Sequence, residues 1–185
     1  MKKVVLLGDS IRLMGYGSLV PGLLGEEFEV WQPEQNGMYA ENVLRQLFDH
    51  DARIREADVV HFNAGLWDVC DLFGDGPFTP KEVYASQIFR IADLLRKRGK
   101  TVVFASTTPV RPENPHNRNE LIAAYNEAVL PALAEKGVWI NDLYSLLAGD
   151  LYGNVSDDLI HLTEKGAKAA AESTAESVRK AAAGV

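Results

Sequence analysis

A serine hydroxyl attacks a carbonyl only when a base accepts its proton and a third group orients that base. This chain places the three residue types where such a set can form. Ser10 stands in Gly8-Asp9-Ser10, directly after the apolar run Val4-Val5-Leu6-Leu7. A serine at a strand-to-helix turn presents its hydroxyl to solvent with backbone amides nearby. Towards the other end, Asp157-Asp158-Leu159-Ile160-His161 precedes an alanine-rich tail. An imidazole titrates near neutrality, which suits general-base work. Asp158 lies three positions before His161. In a bent loop its carboxylate reaches Nδ1 and leaves Nε2 to meet Ser10. Taken singly, Ser10 reads as a turn serine or helix cap, and the acidic loop as a solvated approach to a helix. Taken together they describe a triad of Ser10, Asp158 and His161.

A tetrahedral intermediate also needs donors for its oxyanion. The Ser10 N–H is one candidate. Gly37, in Gln35-Asn36-Gly37-Met38, is another, because a residue without a side chain lets its N–H approach a substrate closely. A further loop reads Asn63-Ala64-Gly65-Leu66-Trp67-Asp68. Asp9, Trp67 and Asp68 are expected to line the substrate site.

These residues need a scaffold that brings distant segments together. Short apolar runs at residues 3–7, 28–31, 57–62, 101–105 and 138–140 predict strands, and their continuous apolarity suits a parallel sheet covered on both faces. Helical spacing separates them. Thr79-Pro80-Lys81-Glu82 reads as a capping box opening a helix that Gly99 ends. A second stripe runs from Leu121 to Leu133 and stops at Gly137, and a third opens at Thr163. Residues 42–50 and part of 15–27 supply further helix. The alternation predicts one α/β domain over residues 1–185, a three-layer α/β/α, flavodoxin-like fold with five parallel strands in the order 2-1-3-4-5. Ligands bind such sheets at the carboxyl ends of the strands, where all the residues above fall.

The chain resembles the SGNH/GDSL hydrolases, serine esterases and acyl hydrolases on a flavodoxin-like fold. The resemblance runs from Val4 to about Ala171. Gly8-Asp9-Ser10 is similar to the first block of that family, with Ile11 where leucine often stands. Asn36-Gly37 is similar to the second, and Asp158-Leu159-Ile160-His161 matches its DxxH block. The resemblance implies Ser10 as nucleophile and oxyanion donor, Gly37 as a second donor, and Asp158 and His161 as the other triad members. It implies no cofactor and no metal. One departure stands out. The third block is Gly-x-Asn-Asp, whose asparagine is an oxyanion donor, and here it reads Gly65-Leu66-Trp67-Asp68. Either Trp67 Nε1 donates, or Asn63 swings in, or two backbone amides suffice. The reading is therefore a serine esterase of small acyl esters, by family analogy O-acetyl esters on a carbohydrate or metabolite. The alternative is a non-catalytic binding domain that keeps the fold, to which Trp67 points.

Composition narrows the remaining classes. The 19 Lys and Arg against 26 Asp and Glu give a net charge of −7, which disfavours nucleic acid and anionic membranes as partners. A small-molecule ester is the expected partner. Cys70 is the single cysteine, so an internal disulfide or cysteine zinc site does not fit. The apolar run before Gly8 is too short for a signal peptide or a span, and a cytoplasmic location is expected. Neither GxxxxGK[ST] nor GxGxxG occurs, and Asp71 and Asp75 lack the oxygen-ligand pattern of a calcium loop. His61 is expected to be a satisfied sheet histidine and His50 a surface one. The loop from Thr107 to Arg118 reads as a solvated loop or as a pocket wall in which Arg111 or Arg118 meets a polar group. Residues 71–78 read as a lid.

Overall fold

A computed structural model describes residues 1–184. Five strands, β1 (Lys2–Leu7), β2 (Phe28–Trp31), β3 (Val59–Asn63), β4 (Thr101–Ala105) and β5 (Trp139–Asn141), form one parallel sheet in the order β2-β1-β3-β4-β5. The central strands β3 and β4 and the second half of β1 are buried on both faces, whereas β2 at the edge is half-buried throughout. That difference explains why the inner strands read as unbroken apolar runs and β2 as a weak one. Leu7 pairs with Phe62, so the chain leaves β1 and β3 side by side at one edge. The connections from β1 and β3 run in opposite directions across the sheet. Their carboxyl ends therefore flank the crevice where this architecture takes ligands.

Helices cover both faces. On one side α8 (Glu164–Ala183) lies across β3, β4 and β5 and meets α1 (Val20–Leu24) and a π-helical turn over Ile11–Tyr16. Its buried stripe holds Ala167, Ala170, Ala171, Thr174, Ala175 and Val178, small side chains that let the helix sit close to the sheet. Thr163 caps it, its side chain accepting the Gly166 N–H at 3.0 Å. On the other side α2 (Ala40–Asp49), α4 (Lys81–Lys97) and α5 (Asn119–Glu135) pack in a row, and α3 (Asp51–Glu56) follows α2.

Two expectations need correction. α4 begins at Lys81 with Pro80 at its N-cap, and no side chain caps it. Thr79 is occupied otherwise: its N–H donates to the Asp68 carbonyl at 2.9 Å, and its own carbonyl accepts the Tyr125 hydroxyl at 2.7 Å. The short helices α6 (Leu143–Ala148) and α7 (Leu151–Asn154) were not anticipated. Asp142 and Asp150 cap them by accepting the N–H of Ser145 and of Gly153. Among the described residues no helix is long and apolar enough to cross a membrane, and no group of His, Cys, Asp and Glu is arranged to hold a metal ion.

The turn after β3 leaves no room for a side chain. Gly65 has φ 148°, and a Cβ there would lie 1.9 Å from Thr107 Oγ1, which itself donates to the Ala64 carbonyl. Gly65→Ala is expected to lower unfolding free energy by roughly 2–4 kcal/mol in urea titrations followed by tryptophan fluorescence. A loss below about 1 kcal/mol would show the turn to be adaptable.

Candidate active site

Ser10 follows β1 and opens the π-helical turn. It is 8% exposed. As the first residue of a helical segment, its N–H has no intrahelical acceptor. The closing loop returns the chain to this point after 151 residues: His161 Nε2 lies 3.0 Å from Ser10 Oγ. His161 Nδ1 lies 2.7 Å from Asp158 Oδ2. Asp158 Oδ1 accepts the Ser156 hydroxyl at 2.7 Å, the Ile160 N–H at 3.0 Å and the His161 N–H at 2.9 Å. Partial burial pushes the Asp158 carboxyl up, but these hydrogen bonds together outweigh it and hold the group well below the usual carboxylate range. The carboxylate is thus an acceptor fixed on its backbone, with one oxygen committed to the imidazole.

The remaining candidates divide between cavity and framework. The Gly37 N–H donates to the Gly8 carbonyl at 2.8 Å, and a Cβ at Gly37 would lie 2.6 Å from that oxygen. Its missing side chain therefore serves the approach of two backbone segments, and its N–H already has an acceptor. Arg12, fully buried, braces the same junction by donating to the carbonyls of Gly8, Pro33 and Gln35 at 3.2, 2.7 and 2.8 Å. The Asn63 amide is committed as well. Its Nδ2 donates to Asp9 Oδ1 at 2.7 Å, and its Oδ1 accepts the Tyr16 hydroxyl at 2.9 Å. Asp9 and Asp68, expected at the substrate, are instead buried and lie outside the cavity wall. Asp9 also accepts the Ile11 N–H, and Asp68 Oδ2 accepts the Ala40 N–H at 3.0 Å, tying the β3 loop to the start of α2. Burial raises the Asp9 carboxyl and pushes Asp68 up to about 6.

Ser10, Asp158 and His161 open onto a cavity of about 370 Å³. Leu66, Trp67, Cys70 and Leu72 reach it from the β3 loop, and Asn114, Pro115, His116 and Asn117 from the β4 loop. The two loops are tied together. The Asp71 N–H donates to the His116 carbonyl at 2.8 Å, and Asn117 Nδ2 donates to the Leu66 carbonyl at 2.7 Å. Trp67 stands edge-on to Tyr39, which stacks on Phe78. Residues 71–78 fold back on themselves, the Phe78 N–H donating to the Cys70 carbonyl and the Gly74 N–H to Asp71 Oδ1. Arg111 turns from the cavity to the 155–162 loop, and Arg118 precedes α5. His61 is buried in β3 with Nε2 3.3 Å from Asn141 Nδ2, and desolvation lowers it to about 3, so it stays neutral. His50 is partly buried and packs edge-on against Trp31.

No protein-family model matches the sequence, and no curated protein matches it. Solved structures do match in shape. An acetyl xylan esterase, AlAXEase, superposes with a TM-score of 0.76 at 18% identity, covering 97% of this chain and 98% of its own. A lipase/acylhydrolase from Enterococcus faecalis gives 0.76 at 20% identity, covering 97% of each chain. A GDSL-like lipase from Bacteroides thetaiotaomicron gives 0.76 at 18% identity, covering 97% of this chain and 89% of its own. The chain has the fold of the SGNH/GDSL hydrolases, with the five-stranded order expected from the sequence.

Asp68 yields a test of this framework. Its carboxyl moves from 3.8 to about 6 on folding, so the folded state holds the proton more tightly than the unfolded one. The associated stability is present below pH 3.8 and is lost as pH rises through about 6. Asn can still accept the Ala40 N–H without carrying a charge. Asp68→Asn is expected to be more stable than the native protein at pH 7 by about 1–3 kcal/mol and to lose that advantage by about pH 4 in urea titrations.

Proposed function

We propose that this chain is an SGNH-type serine esterase that hydrolyses small, uncharged acyl esters through Ser10, His161 and Asp158. The observation that supports this most is the unbroken hydrogen-bond line from Asp158 Oδ2 to His161 at 2.7 Å and from His161 to Ser10 Oγ at 3.0 Å, opening onto a cavity. In this reading His161 Nε2 takes the Ser10 proton as Oγ bonds to the ester carbonyl carbon. The imidazolium forms beside a carboxylate already fixed by three donors. It then gives the proton to the leaving alkoxide, and the alcohol departs. Water, deprotonated by the same nitrogen, then bonds to the acyl carbon; the C–Oγ bond breaks, Ser10 Oγ takes the proton back from His161, and the acid is freed.

The oxyanion is assigned first to the Ser10 N–H, which at the N-cap of the helical turn has no intrahelical acceptor. Gly37 adds to it only by sharing its N–H with the Gly8 carbonyl. Asn63, whose Nδ2 is turned to Asp9 and which lies outside the cavity wall, takes no part. Trp67 is assigned to the cavity wall. A site with few free donors suits esters whose leaving groups depart readily. The cavity is walled largely by Leu66, Trp67, Cys70, Leu72, Pro115 and Ile160. Among the described residues no lysine or arginine lines it, and the apolar wall favours uncharged substrates. The acetyl xylan esterase likeness supports an O-acetyl group on a carbohydrate or a similar alcohol.

Hydrolysis of a chromogenic acetyl ester tests the reading. Ser10→Ala is expected to lower kcat by about 10³-fold or more and to abolish labelling by a serine-reactive phosphonate. Equal rates in the two proteins would remove Ser10 from the reaction, and a native protein that is neither active nor labelled would favour the binding-domain reading. Trp67→Ala separates wall from donor. Loss of a wall raises KM about 5- to 10-fold with a smaller change in kcat, whereas loss of an oxyanion donor lowers kcat about 10²-fold. The first outcome is expected.

A further inference from the structure

The loop carrying Asp158 and His161 lies outside any helix or strand of the sheet, yet it must keep two side chains in register with Ser10. Its backbone forms a narrow hairpin. Val155 and Leu162 face each other as an antiparallel bridge. The Ser156 N–H donates to the His161 carbonyl at 2.7 Å, and the Leu159 N–H to the Ser156 carbonyl at 3.0 Å. Leu159 forms the tip with φ 74°, in the left-handed region. A bulky L-residue is disfavoured there and persists only where its surroundings over-determine it.

A single residue from the β4 loop provides much of that determination. The Arg111 N–H donates to the Leu159 carbonyl at 3.0 Å. Arg111 Nε donates to the Val155 carbonyl at 2.9 Å, Nη1 to Asp157 Oδ1 at 2.8 Å and Nη2 to the Tyr152 carbonyl at 3.3 Å. The guanidinium also lies over the Tyr152 ring, 5.1 Å from its centre. Base, outer arm and tip of the hairpin are thus all held by one side chain and its own backbone. The Arg111 side chain is 15% exposed, whereas that of Asp157 is 98% exposed. The ion pair is therefore the weak part of the clamp, and the carbonyl bonds are the strong part. Arg111 does not reach the cavity that Ser10 opens onto.

We propose that Arg111 is the positioning residue of the triad: it clamps the 155–162 hairpin with Leu159 in its left-handed conformation, and thereby keeps Asp158 and His161 within reach of Ser10. This rests on the hydrolytic reading above. The role is geometric. A shift of the hairpin by a fraction of its width would break the Asp158-to-His161-to-Ser10 line while leaving the cavity walls from the β3 loop in place. Lysine cannot substitute, because one ammonium does not reproduce a planar fork on separate carbonyls.

Steady-state kinetics on the full chain test it, with a chromogenic acetyl ester and melting curves for each variant. Arg111→Met is expected to lower kcat about 30-fold or more while KM stays within about threefold, the split expected of misplaced catalytic groups facing an unmoved β3-loop wall. Arg111→Lys recovers little of the loss. Asp157→Asn, which removes only the exposed partner, stays within about twofold of native. The decisive variant adds Leu159→Gly to Arg111→Met. Methionine keeps the main-chain N–H on the Leu159 carbonyl but removes every side-chain bond to the base and outer arm, so the loosened hairpin holds Leu159 in the left-handed region with less support. Glycine takes that conformation without steric cost, so the double variant should turn over about tenfold faster than Arg111→Met alone. Arg111→Met with kcat within about threefold of native would overturn the proposal. So would a loss that Leu159→Gly fails to relieve, which would assign Arg111 to general stability. A native protein without Ser10-dependent turnover would instead remove the hydrolytic reading, and this inference with it.

Discussion

A hydroxyl becomes a useful nucleophile only while a base sits within hydrogen-bond reach of it, and here the two groups are 151 residues apart in the chain, held at 3.0 Å. That constraint organises the fold. β1 must end beside β3 for the Ser10 turn to stand at the crevice, and the 155–162 loop must come back over the same edge. The parallel order with β1 between β2 and β3 satisfies both. The small residues of α8 let the last helix lie close on the sheet, which brings its leading loop down to Ser10.

Around this line the polar framework sits in two tiers. Residues that face the cavity are few, and most of its wall is apolar. Beneath it lies a buried network that braces the loops at this edge of the sheet. Arg12 and Gly37 converge on the Gly8 carbonyl, Asn63 joins Asp9 to Tyr16, and Asp68 joins the β3 loop to α2. The tiers have different electrostatics. Asp158 is surrounded by donors and stays ionised, while Asp9 and Asp68 are raised by burial. Carboxylates of one chemical type thus do different work according to the number of hydrogens aimed at them.

Much of the architecture was legible in the residues, because buried parallel strands leave unbroken apolar runs and the helix stops at Gly99 and Gly137 are local signals. The reach of Asp158 to His161 was legible for the same reason, being a spacing of three. What escaped was set by contacts between distant segments. Nothing local distinguishes an Asp9 or Asp68 at a substrate from one buried beneath it; only the N–H of Ala40, on another element, decides. Gly37 carries the mark of close approach, but the partner is the Gly8 carbonyl. Thr79 looked like a cap and is a tether, since Asp68 and Tyr125 claim it. The helices α6 and α7 are too short for periodicity to show, although the caps Asp142 and Asp150 were there to be found. Arg111 was invisible as a clamp because its targets lie 41 to 48 positions away.

The long chain separation of Ser10 from His161 bears on the order of folding events. Contacts between remote parts of a chain carry the largest closure entropy, and they form after local pairings. The β1–β2 and β3–β4 ladders can assemble while the segment bearing the imidazole is still loose. Until that segment docks, Ser10 is an ordinary alcohol at the edge of a partly built sheet. In the proposed hydrolytic reading, competence towards esters therefore arrives only with that last tertiary closure.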